Sequence, residues 1–148
     1  MFAPWHPIPD DNLEMPQLSI STRGTSLRIH WQPTWQGAPC FDIVFAKGLA
    51  SLLVIDESTF GSFKSDLWPT ASERFAPSPK HGHAWHAWRE EDPQRRNLYG
   101  DLGKLNYQHV TSYLFTGGDI VLLVDIGDCL PVVELLPPNK SLERTRDR

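Results

Sequence analysis

Cysteine is scarce in this chain, and long apolar runs are missing. Its 148 residues include two cysteines, Cys40 and Cys129, too few for a disulfide framework. They read as free thiols and small buried fillers. No stretch approaches the ~20 apolar residues of a membrane span. The opening Met1-Phe2-Ala3-Pro4-Trp5-His6-Pro7 has neither the basic nor the apolar region of a secretory signal. A cytoplasmic protein without membrane contact is the expectation. A Gly-rich phosphate loop, a nucleophile elbow and a Cys-x-x-Cys pair are also lacking, so no catalytic set assembles by motif. Excess positive charge is absent too: the formal net charge is −4. Such a balance suits a basic or neutral partner and argues against a nucleic-acid backbone.

What is present points to one strand-rich globular domain. Hydrophobic residues at 40% and charged residues at 22% are ordinary globular values, and this length can bury a sizeable core. Thirteen prolines punctuate the chain and argue against long helices.

Residues 1–16 hold Pro4, Pro7, Pro9 and Pro16 and predict an irregular N-terminal arm, with Trp5 as its anchor. The single globular domain is expected over 17–137. Its first block, 17–56, alternates with period two: Leu18 and Ile20, a turn at Arg23-Gly24, then Leu27, Ile29 and Trp31. This predicts a hairpin with one buried face. Phe41, Ile43 and Phe45 alternate next, and the near-continuous apolar run over 49–55 predicts a strand buried on both faces. Residues 57–104 read as an irregular, weakly helical insert, with helical pieces over 57–68 and 84–91. The second block, 105–136, opens with Tyr107, His109, Thr111, Tyr113 and Phe115 on one face. A Gly117-Gly118 turn, an apolar strand over 119–126 and a last strand over 130–136 complete an antiparallel meander. The fold class is therefore α+β, mainly β. The expectation is an antiparallel sheet forming a curved or partly open barrel, with a two-sheet sandwich as the alternative.

Three histidines within six residues, His81, His83 and His86, are the sharpest chemical feature. Imidazoles at this spacing can hold zinc, and an open coordination position would then activate water. The run resembles the H-x-H-x-D-H motif of metallo-β-lactamase-fold hydrolases, but Trp85 stands where that motif needs its aspartate. This removes an oxygen ligand and argues against the family. A three-histidine site with His109 or a neighbouring acid as base remains open. The plainer alternative is an exposed segment with Trp85 and Trp88 packed inward.

Aromatic residues give a second reading. Trp35, Trp85, His86, Tyr107, His109 and Tyr113 could line a ligand cup or partner surface, because Trp and Tyr join large contact area to a polar handle. The acids Asp56-Glu57 and Asp125-Asp128 sit at strand ends. There they could pair in acid–base work or serve as turn residues.

The final ten residues, Asn139-Lys140-Ser141-Leu142-Glu143-Arg144-Thr145-Arg146-Asp147-Arg148, follow Pro137-Pro138 and are polar and charged. A disordered tail is expected over 138–148. Its four basic and two acidic residues leave the rest of the chain at −6 out of the total −4. This tail resembles the ends that reading frames in integron gene cassettes acquire when they run into the recombination site. The resemblance implies a bacterial, mobile, accessory gene. The expected function is a non-catalytic binding module. Its partner would be a protein, as for an immunity-type or antitoxin-type factor, or a small molecule in an aromatic-lined sheet cup. A homo-oligomer is a further outlet for aromatic surface. No cofactor is expected. The alternative is a metal-dependent hydrolase using zinc at His81, His83 and His86.

Overall fold

The computed structural model describes residues 2–9, 15–34, 38–56, 86–91 and 107–137. These form strands β1 (Ala3–Pro4), β2 (Pro16–Arg23), β3 (Ser26–Pro33), β4 (Cys40–Phe45) and β5 (Leu49–Asp56) in the first part of the chain. They continue as β6 (Ala87–Glu91), β7 (Val110–Thr116), β8 (Ile120–Gly127) and β9 (Val132–Leu136). Two sheets result, ordered β1-β6-β7-β8-β5 and β2-β3-β4-β9. Every pairing is antiparallel. The chain is mainly antiparallel β as expected, in the two-sheet form and not as a closed barrel. Among the described residues there is no helix.

The β2–β3 hairpin follows its sequence signal. Arg23 pairs with Ser26 around a two-residue loop, and Gly24 takes φ 59°, the left-handed conformation such a turn requires. Alternation then sends Leu27, Ile29 and Trp31 to one face, opposite Phe45, Ile43 and Phe41 of β4. These six side chains are fully buried. They meet Tyr113, Phe115, Leu122 and Val124 of the five-stranded sheet in one hydrophobic cluster. The Phe45 and Tyr113 rings lie 5.0 Å apart between the sheets, and Trp31 stacks on Phe41 at 5.2 Å within one sheet. Burial of each such side chain contributes about 1.5–3 kcal/mol.

Strand exchange distinguishes this fold from the expected one. The second block does not form a meander. After the β7–β8 hairpin, β9 crosses to the other sheet and pairs with β4. The residues after β8 explain why. Asp128 has φ 49°, and its carboxylate accepts hydrogen bonds from the backbone N–H of Gln108 and His109, at 3.0 and 2.9 Å. The corner is thereby tied to the start of β7 and does not close a hairpin. In return β5 leaves its own block and pairs with β8. The run over 49–55 is therefore an edge strand, not one buried on both faces: Leu53 and Val54 are exposed. The two crossings touch. Gly127 N–H donates to Gly48 O at 2.7 Å. Gly48 takes φ 86°, and a Cβ there would lie 2.2 Å from Gly127 O, so only glycine fits.

Two further expectations are corrected. The helical piece over 84–91 holds a strand instead, because Ala87–Glu91 pairs along β7, and that long-range pairing overrides the helix propensity of Ala, Arg and Glu. Tyr107 and His109 do not share the β7 face with Thr111, Tyr113 and Phe115; they precede the strand. The N-terminal segment is built into the body. Ala3–Pro4 pairs with β6, Phe2 and Ile8 are buried, and Trp5 packs edge-on against Tyr113 at 5.1 Å. Of the expected insert only 86–91 is described; the remainder, and the tail over 138–148, lie outside the described residues.

Candidate binding surface

Alternation leaves the outer face of the four-stranded sheet polar. Cross-strand register lines up Ser19, His30, Asp42 and Glu134 in one row. Ser21, Arg28, Val44 and Val132 form the next row on the same face. Asp42 is the hub and is only 9% exposed. His30 Nδ1 donates to Asp42 Oδ1 at 2.6 Å. Arg28 Nη1 donates to Asp42 Oδ2 and to Glu134 Oε2, both at 2.8 Å. His30 Nε2 meets Gln32 Oε1 at 3.0 Å.

The electrostatics follow from this geometry. Burial pushes the Asp42 carboxyl pKa up, but the hydrogen bonds from His30 and Arg28 outweigh it, and the net shift is below the usual value. The hydrogen bond to Glu134 and then that to Asp42 raise the Arg28 pKa further. A charged His30 ring donates to both neighbours as they stand. A neutral ring serves both once the Gln32 carboxamide turns its NH2 toward Nε2.

Ser19 faces His30 across the hairpin, which puts serine, histidine and aspartate in one row. This is not a nucleophile relay, because Nε2, the nitrogen a base would present to serine, is turned to Gln32. The arrangement offers fixed donors and acceptors on an open sheet face.

An apolar margin flanks this face. Val132 is 59% exposed on the outer side of β9, Leu135 is 71% exposed on its inner side, and Leu130 just before the strand is 81% exposed.

A second polar row crosses the far face of the five-stranded sheet: Glu90, Ser112, Asp125 and Ser51. Ser112 Oγ donates to Asp125 Oδ1 at 2.5 Å and Ser51 Oγ donates to Oδ2 at 3.0 Å. Asp125 is 1% exposed and Ser112 and Glu90 are buried, so this row is interior structure, not a surface. Asp125 and Asp128 do not pair across a cleft: one is held by two serines inside the fold, the other caps the approach to β7.

The residues singled out by sequence scatter. Tyr113 lies in the core against Phe45, Phe115 and Trp5, so its ring faces no ligand. Burial raises its hydroxyl pKa. His86 is buried, with Nδ1 2.9 Å from Thr116 Oγ1 at the end of β7. His109 is exposed and precedes the start of β7. The length of that strand puts the two histidines roughly 20 Å apart, so His109 cannot serve a site at His86. Tyr107 lies half-buried over Gly127. Trp35, Trp85, His81 and His83 lie outside the described residues. Among the described residues no group of three His, Cys, Asp or Glu could hold a metal ion, and no helix is long and apolar enough to cross a membrane. Neither Cys40 nor Cys129 is joined in a disulfide.

Sequence reading named none of Arg28, His30, Asp42 and Glu134 as a site. Alternation put Arg28 and His30 on the outward face; only the register of β4 and β9 brings the two acids to them. Fold and surface together define a two-sheet antiparallel β protein with an open polar sheet face. No protein-family model, curated protein or solved structure matches the chain.

Proposed function

We propose that this protein is a non-catalytic binding module that holds a protein partner on the outer face of its four-stranded sheet. The carrying observation is the Arg28, His30, Gln32, Asp42 and Glu134 network, held by hydrogen bonds of 2.6–3.0 Å on an open face. A preorganised array loses little side-chain freedom on binding. Two acids against one arginine favour a partner with basic or neutral groups. An immunity-type or antitoxin-type factor fits this chemistry. The small-molecule version with an aromatic cup has less support, because Trp31, Tyr113, Phe41, Phe45 and Phe115 are fully buried core.

Affinity capture from lysate of the native host tests the reading. Wild-type protein retains a stoichiometric partner that Glu134→Lys loses and that Leu53→Lys, on the opposite sheet, keeps. Loss through Leu53→Lys alone moves the site, and no stoichiometric partner ends the proposal. The rival, a zinc hydrolase at His81, His83 and His86, has its own check. Untagged protein would carry one zinc that His83→Ala removes, and added zinc would raise its melting temperature.

A further inference from the structure

Among the described strands β9 lies at an edge of the four-stranded sheet. In a two-residue hairpin the flanking residues Arg23 and Ser26 form a hydrogen-bonded pair. Bonded and non-bonded pairs then alternate across the sheet. Leu27, Ile29 and Trp31 bond to β4, so Cys40, Asp42 and Val44 bond to Leu136, Glu134 and Val132 of β9. Val133 and Leu135 therefore aim their N–H and C=O groups away from the sheet, at the open edge. The next positions in that alternation are Pro131 and Pro137, which have a carbonyl and no N–H. The edge thus presents two donors, bracketed by prolines.

The other edges of the described sheets differ. β5 is interrupted by a register shift between Leu49 and Ser51, β1 is two residues long, and β2 carries Ser19, Ser21 and Arg23. Bulges, short length and charge are the usual protections against strand addition. In β9 (Val132–Leu136) the one charged residue, Glu134, is tied back to Arg28. Its neighbours Leu130, Val132 and Leu135 are 81%, 59% and 71% exposed.

We propose that β9 pairs antiparallel with β9 of a second copy of this chain, about a two-fold axis through Val133. In this register Val133 exchanges both hydrogen bonds with Val133 of the second copy. Leu135 N–H donates to the Pro131 carbonyl of that copy, and the reverse bond repeats it. All four edge donors are satisfied, and the missing proline N–H leaves nothing unmet. Leu130 meets Leu136 of the other copy, and Leu135 meets Pro131. Sliding the axis to Glu134 would set two glutamates directly opposite, about 4.5 Å apart by Cα, which is destabilising. Sliding it to Leu135 leaves Leu130 outside the contact. The four-stranded sheet becomes eight-stranded, and the two polar faces join into one. The contact is short, so the dimer is in equilibrium with monomer, with a dissociation constant between about 1 μM and 1 mM.

Sedimentation equilibrium of the untagged chain alone, across that concentration range, is the test. Wild type shifts from monomer to dimer. Val133→Pro removes an outward N–H without touching a bond to β4, and it weakens association at least tenfold while near-ultraviolet circular dichroism stays native. Leu135→Lys does the same and carries the test if the proline variant fails to fold. Val54→Lys, on the β5 edge, leaves association unchanged. A wild type that stays monomeric throughout overturns the proposal. So does a dimer that ignores both β9 substitutions. No partner protein enters this experiment, so either outcome leaves the outer-face reading to its own capture test.

Discussion

Two polar rows cross the described sheets, one on each, and each centres on an aspartate that accepts hydrogen bonds from two described side chains. Asp42 sits on the outer face of the four-stranded sheet between His30 and Arg28. Asp125 sits on the far face of the five-stranded sheet between Ser112 and Ser51. Their partners differ because their surroundings differ. Arg28 and His30 keep part of their side chains in water, so charge is tolerable there and remains available to another molecule. Asp125 is fully enclosed, and among the described residues the small neutral hydroxyls of Ser112 and Ser51 serve it. Similar hydrogen-bond geometry gives a solvent-facing array in one place and internal structure in the other. Burial decides which.

The largest expected effect falls on the enclosed row. Asp125→Ala removes a buried carboxylate to which Ser112 and Ser51 donate, and should destabilise the protein by about 3 kcal/mol. Asp42→Ala, on the open row, should lose about 1 kcal/mol. Urea unfolding midpoints of the two variants measure the difference directly. Equal losses would remove the distinction between the rows.

Acid sharpens it next. The folded-state pKa of Asp42 lies below its ordinary value. Such a group contributes stability that is complete above the unfolded pKa, about 3.9, and is lost as pH falls through the folded one. The stability gap between wild type and Asp42→Asn should therefore be constant above about pH 5 and should shrink on further acidification. Unfolding curves from pH 2 to pH 7, on the order of one per half unit, trace it. A gap that widens on acidification would mean that the hydrogen bonds do not govern this carboxylate.

Much of this fold was legible, and the limits have one physical origin. The β2–β3 hairpin announced itself through local alternation and Gly24, and the β7–β8 hairpin through Gly117-Gly118. The exchange of β5 and β9 did not, because an apolar run such as 49–55 reads alike whether it ends in the middle of a sheet or at its edge. Residues 87–91 read as helix for a related reason: their partner β7 lies well down the chain, and propensity is blind to it. The candidate surface suffered most. Arg28 and Glu134 are 106 positions apart, and only the pairing of β9 with β4 brings them together. The histidine and tryptophan residues of the 81–88 segment drew attention by composition, yet the two of them that are described, His86 and Trp88, went inside.

The smallest stability effect carries the most functional weight. Glu134 is about half exposed, and its ion pair with Arg28 is open to water, so Glu134→Gln should change unfolding free energy by less than about 0.5 kcal/mol. Its carboxylate is nevertheless the outermost acceptor of the polar face, beside the apolar margin of β9. If that face holds the partner, the same substitution should weaken capture roughly tenfold, equivalent to about 1.4 kcal/mol. Titration of the captured partner against both proteins gives the ratio. Asp125, which touches no surface, gives the opposite pattern: Ser51→Ala should lower stability by about 1 kcal/mol and leave capture unchanged. A Glu134→Gln variant that binds as tightly as wild type would make the outer row structural as well, and the two aspartates would then differ in partners but not in purpose.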